Sequence, residues 1–142
     1  MDKAIQIAYN EFFEKKCIMA SKAGFRHISV NFNDTTDRSP ENWAAAPDNI
    51  LRIMEENDLR CVQTHLPYYD LRISAEELDD EMEDAMFHSI QVSGKIGAPW
   101  CVYHPRTAVS AGYSAIKALE INHEVISKYL DWAVQGDTGI DP

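Results

Sequence analysis

Two histidines occupy matching positions in this chain: His65 within Thr64-His65-Leu66-Pro67, and His104 within Tyr103-His104-Pro105. Each is followed within two residues by a proline, which ends an extended segment and fixes how the chain leaves it. If the two segments are neighbouring strands, about 4.8 Å apart, the imidazoles can converge on one metal ion or one substrate oxygen. Hydrogen bonding to loop backbone explains an isolated histidine; a matched pair points to a shared site. His27, at a strand start, His88, within a helix, and His123, near a helix start, need only structural roles.

Cys61 precedes His65, and Cys101 precedes His104, so a zinc-finger spacing has to be considered. On a strand, four residues span roughly 13 Å and residues three apart point to opposite faces, so neither pair can chelate one ion. The cysteines read as small core residues. No Ser-His-Asp order, glycine-rich phosphate loop or Walker motif is present.

The elements that must position the histidines alternate in type. Residues 4–9 form a short apolar run suited to a buried strand. Asn10 is placed to cap the following helix, where Phe13, Cys17 and Ala20 recur at helical spacing before Gly24 stops it. Residues 26–32 are β-branched and alternating, a second strand. Ser39-Pro40 has the form of a helix cap with proline in the first turn. Ala46-Pro47 is expected to break that helix, with a longer one running from Asp48 to Asn57-Asp58.

A third strand covers residues 59–65. The spacing of Ser74 and Glu77 forms a capping box for the next helix, whose stripe includes Leu78, Met82, Ala85, Met86, Ser89, Ile90 and Ser93. A fourth strand over 99–104 precedes a loop with Ser110, Gly112 and Ser114. A last helix carries Ile121, Val125, Ile126, Tyr129, Leu130 and Ala133. Strand–helix alternation implies an α/β fold with a parallel sheet and right-handed crossovers. Four βα units in 142 residues are about half of an eight-unit barrel, which takes about 250 residues. The carboxyl ends of such strands form the functional face, and both histidines fall there.

Composition narrows the function classes. A chain of 45% hydrophobic and 25% charged residues is an ordinary globular one, and no apolar run approaches the roughly 18 residues of a membrane span. The N-terminus lacks the apolar core of a signal peptide, and three cysteines are an odd count, so the expectation is reduced thiols in a cytoplasmic protein. Acids outnumber bases 23 to 13, giving a net charge of −10, and the bases are spread along the chain. A nucleic-acid partner is disfavoured on that ground. The acidic run from Glu76 to Asp84 reads as a solvated helix start.

Several segments together resemble the xylose-isomerase-like TIM barrels, which include sugar-phosphate isomerases and epimerases and the apurinic-site endonucleases. They are Ala23-Gly24-Phe25, Gln63-Thr64-His65-Leu66-Pro67-Tyr68, Ile96-Gly97-Ala98 and Val102-Tyr103-His104-Pro105. The resemblance implies a parallel (βα)4 half of such a barrel over residues 1–142. It also implies a small carbohydrate substrate and a divalent metal (Zn, Mn or Mg). By the same resemblance, His65 and His104 match metal- or substrate-binding histidines, while Tyr9 and Asn10 match positions lining the substrate pocket. Arg106 is a candidate for an anionic substrate group. Asn31 stands where many relatives carry a glutamate, and the family's bridging glutamate follows a fifth strand that this sequence does not reach. Negligible isomerase turnover by this chain alone is therefore expected.

Four parallel strands cannot close a barrel. A homodimer is expected, the fourth strand of each copy pairing with the first of the other, over inward faces carrying Ile5 or Ile7, Val30, Gln63 and Val102. The competing readings are a non-enzymatic, self-associating binding module and an apurinic-site endonuclease, the latter opposed by the net charge.

Overall fold

The computed structural model describes residues 3–68, 80–105 and 114–135. Four strands alternate with four helices: β1 (Ala4–Ala8), α1 (Phe13–Lys22), β2 (His27–Asn31), α2 (Pro40–Glu56), β3 (Arg60–His65), α3 (Asp80–Lys95), β4 (Cys101–Val102) and α4 (Ala115–Gln135). The sheet runs β1-β2-β3-β4 with every neighbouring pair parallel, the arrangement of half an α/β barrel.

Local chemistry accounts for most boundaries. Phe13, Cys17 and Ala20 form the buried stripe of α1, and Gly24 follows at φ +92°, a conformation that glycine adopts without a Cβ penalty. Asn10 prepares the helix rather than capping it: its Oδ1 accepts from the Phe12 N–H at 2.9 Å, while the cap position itself falls to Phe12. Ser39 does cap α2, its Oγ accepting from the Asn42 N–H at 3.3 Å, with Pro40 at the first helical position. Asp58, at φ 51°, turns the chain out of α2.

Two expectations are corrected here. Ala46-Pro47 does not break the helix; α2 is continuous across Pro47. An interior proline costs about 3 kcal/mol, but each large apolar side chain fully buried returns about 1.5–3 kcal/mol. Trp43, Ile50 and Ile53 are all essentially inaccessible on one face of α2, so packing outweighs the lost hydrogen bond. The fourth strand is shorter than residues 99–104, with only Cys101 and Val102 in the ladder. It has one neighbour, β3, and Pro99 and Pro105 bring no N–H to extend the pairing. The Ser74–Glu77 capping box and the loop at Ser110 and Gly112 lie outside the described residues.

The inward-facing set also differs from expectation. Ile7, Ile28 and Val30 belong to the core formed with Phe13 and Cys17 of α1, Ile50 and Ile53 of α2, and Val92 of α3, so they face the helices. Strand alternation places Gln6 beside Ser29 and Gln63 on the other face, with Ala8, Asn31, His65 and Val102 forming the next row. Gln63 and Val102 are inward as expected; Ile5, Ile7 and Val30 are not. The pairing of β2 with β3 skips Val62, a bulge that resets the alternation and turns both Cys61 and Thr64 to the helix side. The inner face is consequently polar.

A second core cluster, Leu66, Met86, Ile90, Val125, Tyr129 and Ala133, fastens α4 onto α3. Glu83 ties the same helices together, pairing with Lys128 and accepting from the Tyr129 hydroxyl at 3.1 Å. Among the described residues, no helix is long and apolar enough to cross a membrane.

Candidate functional site at the carboxyl ends of the strands

His65 is the last residue of β3, in register with Asn31 and Val102 on the inner face. His104 lies two residues beyond β4. The Leu66 N–H donates to the Val102 carbonyl at 3.1 Å, holding the two strand exits side by side. The imidazole centroids stand 5.6 Å apart with planes inclined by 34°. Burial, and secondarily the His104 ring, hold His65 below the ordinary histidine pKa, so His65 is neutral at pH 7 with a ring nitrogen lone pair available.

Tyr68 completes this group, its ring 4.7 Å from that of His104. Its backbone N–H donates to Asn33 Oδ1 at 3.0 Å, fastening the loop after β3 to the loop after β2. Asn31 is committed to the same rim: its Oδ1 accepts from the Asn33 N–H at 2.8 Å, and its Nδ2 donates to Asp34 Oδ2 at 3.3 Å. Where a carboxylate would offer acceptors inward, this carboxamide spends its polar atoms on the loop. Tyr68 closes the Gln63–Tyr68 segment that carries the family resemblance, without a role of its own there, and Asn33 is signalled in the sequence only by its closeness to the end of β2.

Tyr9 and Asn10 are placed elsewhere. Tyr9 is buried on the helix side, edge-on to Phe13 and Phe32 at 5.4 and 6.0 Å, and its hydroxyl accepts from Asn49 Nδ2 at 3.4 Å. Both residues line a polar cleft between α1, α2 and the loop after β2, whose walls do not include His65 or His104. Arg106 lies outside the described residues.

The fit of a metal ion can be tested on the donors present. Among the described residues, no group of three or more His, Cys, Asp and Glu side chains could hold an ion together. Two imidazoles are half of a tetrahedral set. The thiols do not supplement them, since Cys61 and Cys101 face the helices; burial pushes Cys61 up to about 11 and also raises Cys101. The described donor set by itself does not complete a metal centre.

No family model and no curated protein sequence matches this chain. A solved structure does: a D-psicose 3-epimerase, crystallised in the presence of D-fructose, superposes with a TM-score of 0.58 at 15% identity. The match covers 96% of this chain and 50% of the epimerase, so the chain spans half the length of that protein. The likeness is one of fold: this chain is a (βα)4 half-barrel of the kind that makes up part of a sugar epimerase barrel.

Proposed function

We propose that this chain is the strand 1–4 half of a sugar isomerase- or epimerase-type barrel. On this reading His65 and His104 bind the oxygens of a small carbohydrate, together with a divalent metal (Zn, Mn or Mg). The observation that carries the reading is the convergence of two imidazoles, 5.6 Å apart, at the carboxyl ends of adjacent parallel strands. A bound divalent ion would polarise a sugar carbonyl or hydroxyl. The chain's own contribution is to offer neutral His65 as a ligand or hydrogen-bond acceptor and to wall the site with Tyr68 and His104.

The proton-transferring carboxylates and the remaining metal ligands would come from four further strands, supplied either by a separate C-terminal half or by a second copy of this chain, which would bring its own His65 and His104. Supporting completion, the outer edges of β1 and β4 have no strand partner among the described residues. An apolar cavity of about 200 Å³ also lies beside β4, walled by Leu66, Ile90, Trp100 and Tyr129. The polar inner face favours a second reading, a sugar-binding half-barrel without catalysis, since its side chains suit hydroxyl groups as well as a partner sheet.

The test combines Mn²⁺ titration, followed by paramagnetic broadening of the histidine ring resonances, with sedimentation equilibrium and a D-fructose epimerisation assay. Broadening confined to His65 and His104, abolished in His65→Ala and His104→Ala, is the expected result, with turnover only in samples that sediment as dimers. Broadening that persists in both variants would overturn the metal assignment. Sugar binding by a monodisperse monomer without turnover would select the second reading.

A further inference from the structure

Two flanks of the molecule are apolar, exposed and opposite in charge. On α4, Val125, Tyr129 and Ala133 form the docked face, and α3 lies on the side of Trp132 and Lys128, where Phe87 and Glu83 meet them. At about 100° per residue, a second apolar stripe runs down the side of α4 turned away from α3. It consists of Ile116, Leu119, Ile126, Leu130 and Val134, all exposed, Ile116 and Leu119 by 71% and 70%. Ile126 and Leu130 also wall the apolar cavity beside β4, together with the exposed Trp100. A surface helix buries one stripe; a second contiguous one, rimmed by charge, marks a face that another body covers. The rim is acidic: Glu120, Glu124 and Asp131, all exposed, border the stripe on its solvent side. Lys117 and Lys128 lie behind that row, toward α3.

The other flank is on α1. Glu14, paired with Arg52, and Ser21, whose hydroxyl donates to the Asn57 carbonyl at 2.8 Å, mark the side of α1 that faces α2. By the same helical spacing, Phe12 and Met19 stand on the opposite side, 50% and 60% exposed. Lys15 and Lys22, both exposed, border them toward solvent, and Lys16 toward the sheet. The strands beneath agree with the helices, since β1 and β4 are the two ends of the sheet. Ile5 faces the helix side of β1 and is only partly buried in its own core. Laid parallel beside β4, that strand would turn Ile5 to the side of the sheet that holds the cavity.

We propose that the β4–α4 flank docks the β1–α1 flank of a second copy of this chain. The α4 stripe packs on the partner's Phe12 and Met19, while Glu120, Glu124 and Asp131 face the partner's Lys15 and Lys22. Two such joints, related by a two-fold, close the two sheets into one ring. The inference rests on the reading that four further strands complete the barrel, and it names a second copy as their source. Charge matching selects that source. Copies of a chain with a net charge of −10 repel one another on average, so a joint between them has to bring a basic surface to an acidic one. The α1 and α4 flanks do so on the same rim.

Sedimentation equilibrium from micromolar to submillimolar concentration, at low and moderate salt, tests the joint without sugar or metal. A dimer that weakens as salt rises is expected. Lys15→Glu with Lys22→Glu, and separately Glu120→Lys with Glu124→Lys, should each weaken dimerisation by about tenfold or more, since both joints then set like charges against each other. Mixed in equal amounts, the two charge-reversed chains should dimerise as the wild type does, because every joint of the mixed pair brings opposite charges together. That recovery also shows that both variants are folded. Leu119→Asp, at an exposed position of the stripe, should abolish the dimer with the native spectrum intact. A monomer at every concentration, a dimer indifferent to these changes, or no recovery on mixing would each overturn the proposal. Mn²⁺ broadening of His65 and His104, followed on the same samples, separates the two readings. A monomer that binds the ion there overturns the docking alone, and a dimer that does not bind it leaves the docking standing and overturns only the metal assignment.

Discussion

Thr64 immediately precedes His65, and its side chain anchors β3 to α3. Thr64 and Ser93 are both fully buried, with their hydroxyl oxygens 2.7 Å apart, and Ser93 Oγ donates to the Ser89 carbonyl at 2.7 Å. Ser93 thus spends its single proton within the helix, and Thr64 donates to Ser93. Thr64→Val keeps the side-chain shape and removes that bond, while Ser93 still donates to Ser89. The loss is that of one ordinary hydrogen bond, about 0.5–1.5 kcal/mol. Ser93→Ala leaves the buried Thr64 hydroxyl with only the Cys101 sulfur, 3.3 Å away, and should cost about 1–3 kcal/mol, less the few tenths by which alanine favours a helix. With both hydroxyls gone nothing remains unpaired, so the double variant should be less destabilised than the sum by about 1 kcal/mol. In a chain of this length 1 kcal/mol moves the thermal midpoint by about 3 °C. Urea unfolding of the wild type and three variants, at constant m value, measures the cycle. Additivity within about 0.3–0.5 kcal/mol would refute the coupling and with it the idea that this junction holds the strand exit bearing His65.

Gly24→Ala should cost about 1–2 kcal/mol from backbone strain alone: its φ is +92° and a Cβ there would meet nothing within 4 Å, so a measured loss well above this would indicate an unrecognised steric role. The ring resonances of His65 should titrate with a midpoint below about 6.5, and His104→Ala should raise that midpoint without restoring the ordinary value, because burial is the larger cause. Since the folded-state pKa is the depressed one, His65 makes folding less favourable as pH falls from about 6.5 through its native midpoint; the acid sensitivity of urea midpoints in that window should shrink in His65→Gln, and an unchanged sensitivity would refute the assignment. Cys17, inaccessible and pushed up to about 12 by burial and by Glu14, should resist a disulfide-exchange reagent at pH 8 until urea unfolds the chain; prompt labelling of all three cysteines in the native state would contradict the packing of α1.

The order and type of the elements are legible in the sequence because they rest on contacts between near neighbours along the chain. The stripe Phe13-Cys17-Ala20, the Ser39-Pro40 cap and the proline after each histidine act within a turn or two of themselves. The adjacency of His65 and His104 follows from the same local signals plus the parallel connection rule, and the rings do stand side by side. What the tertiary structure decided depends on partners distant in sequence. Pro47 is tolerated because α2 lies on the sheet and buries Trp43, Ile50 and Ile53, a gain that no local pattern around the proline reports. The inner face is polar because β3 skips Val62 when it pairs with β2, and that parity exists only once two strands are in register. Tyr9 joins a cleft apart from the histidines for a related reason: one residue past β1, strand alternation turns its ring to the helices, where Phe13, Phe32 and Asn49 receive it.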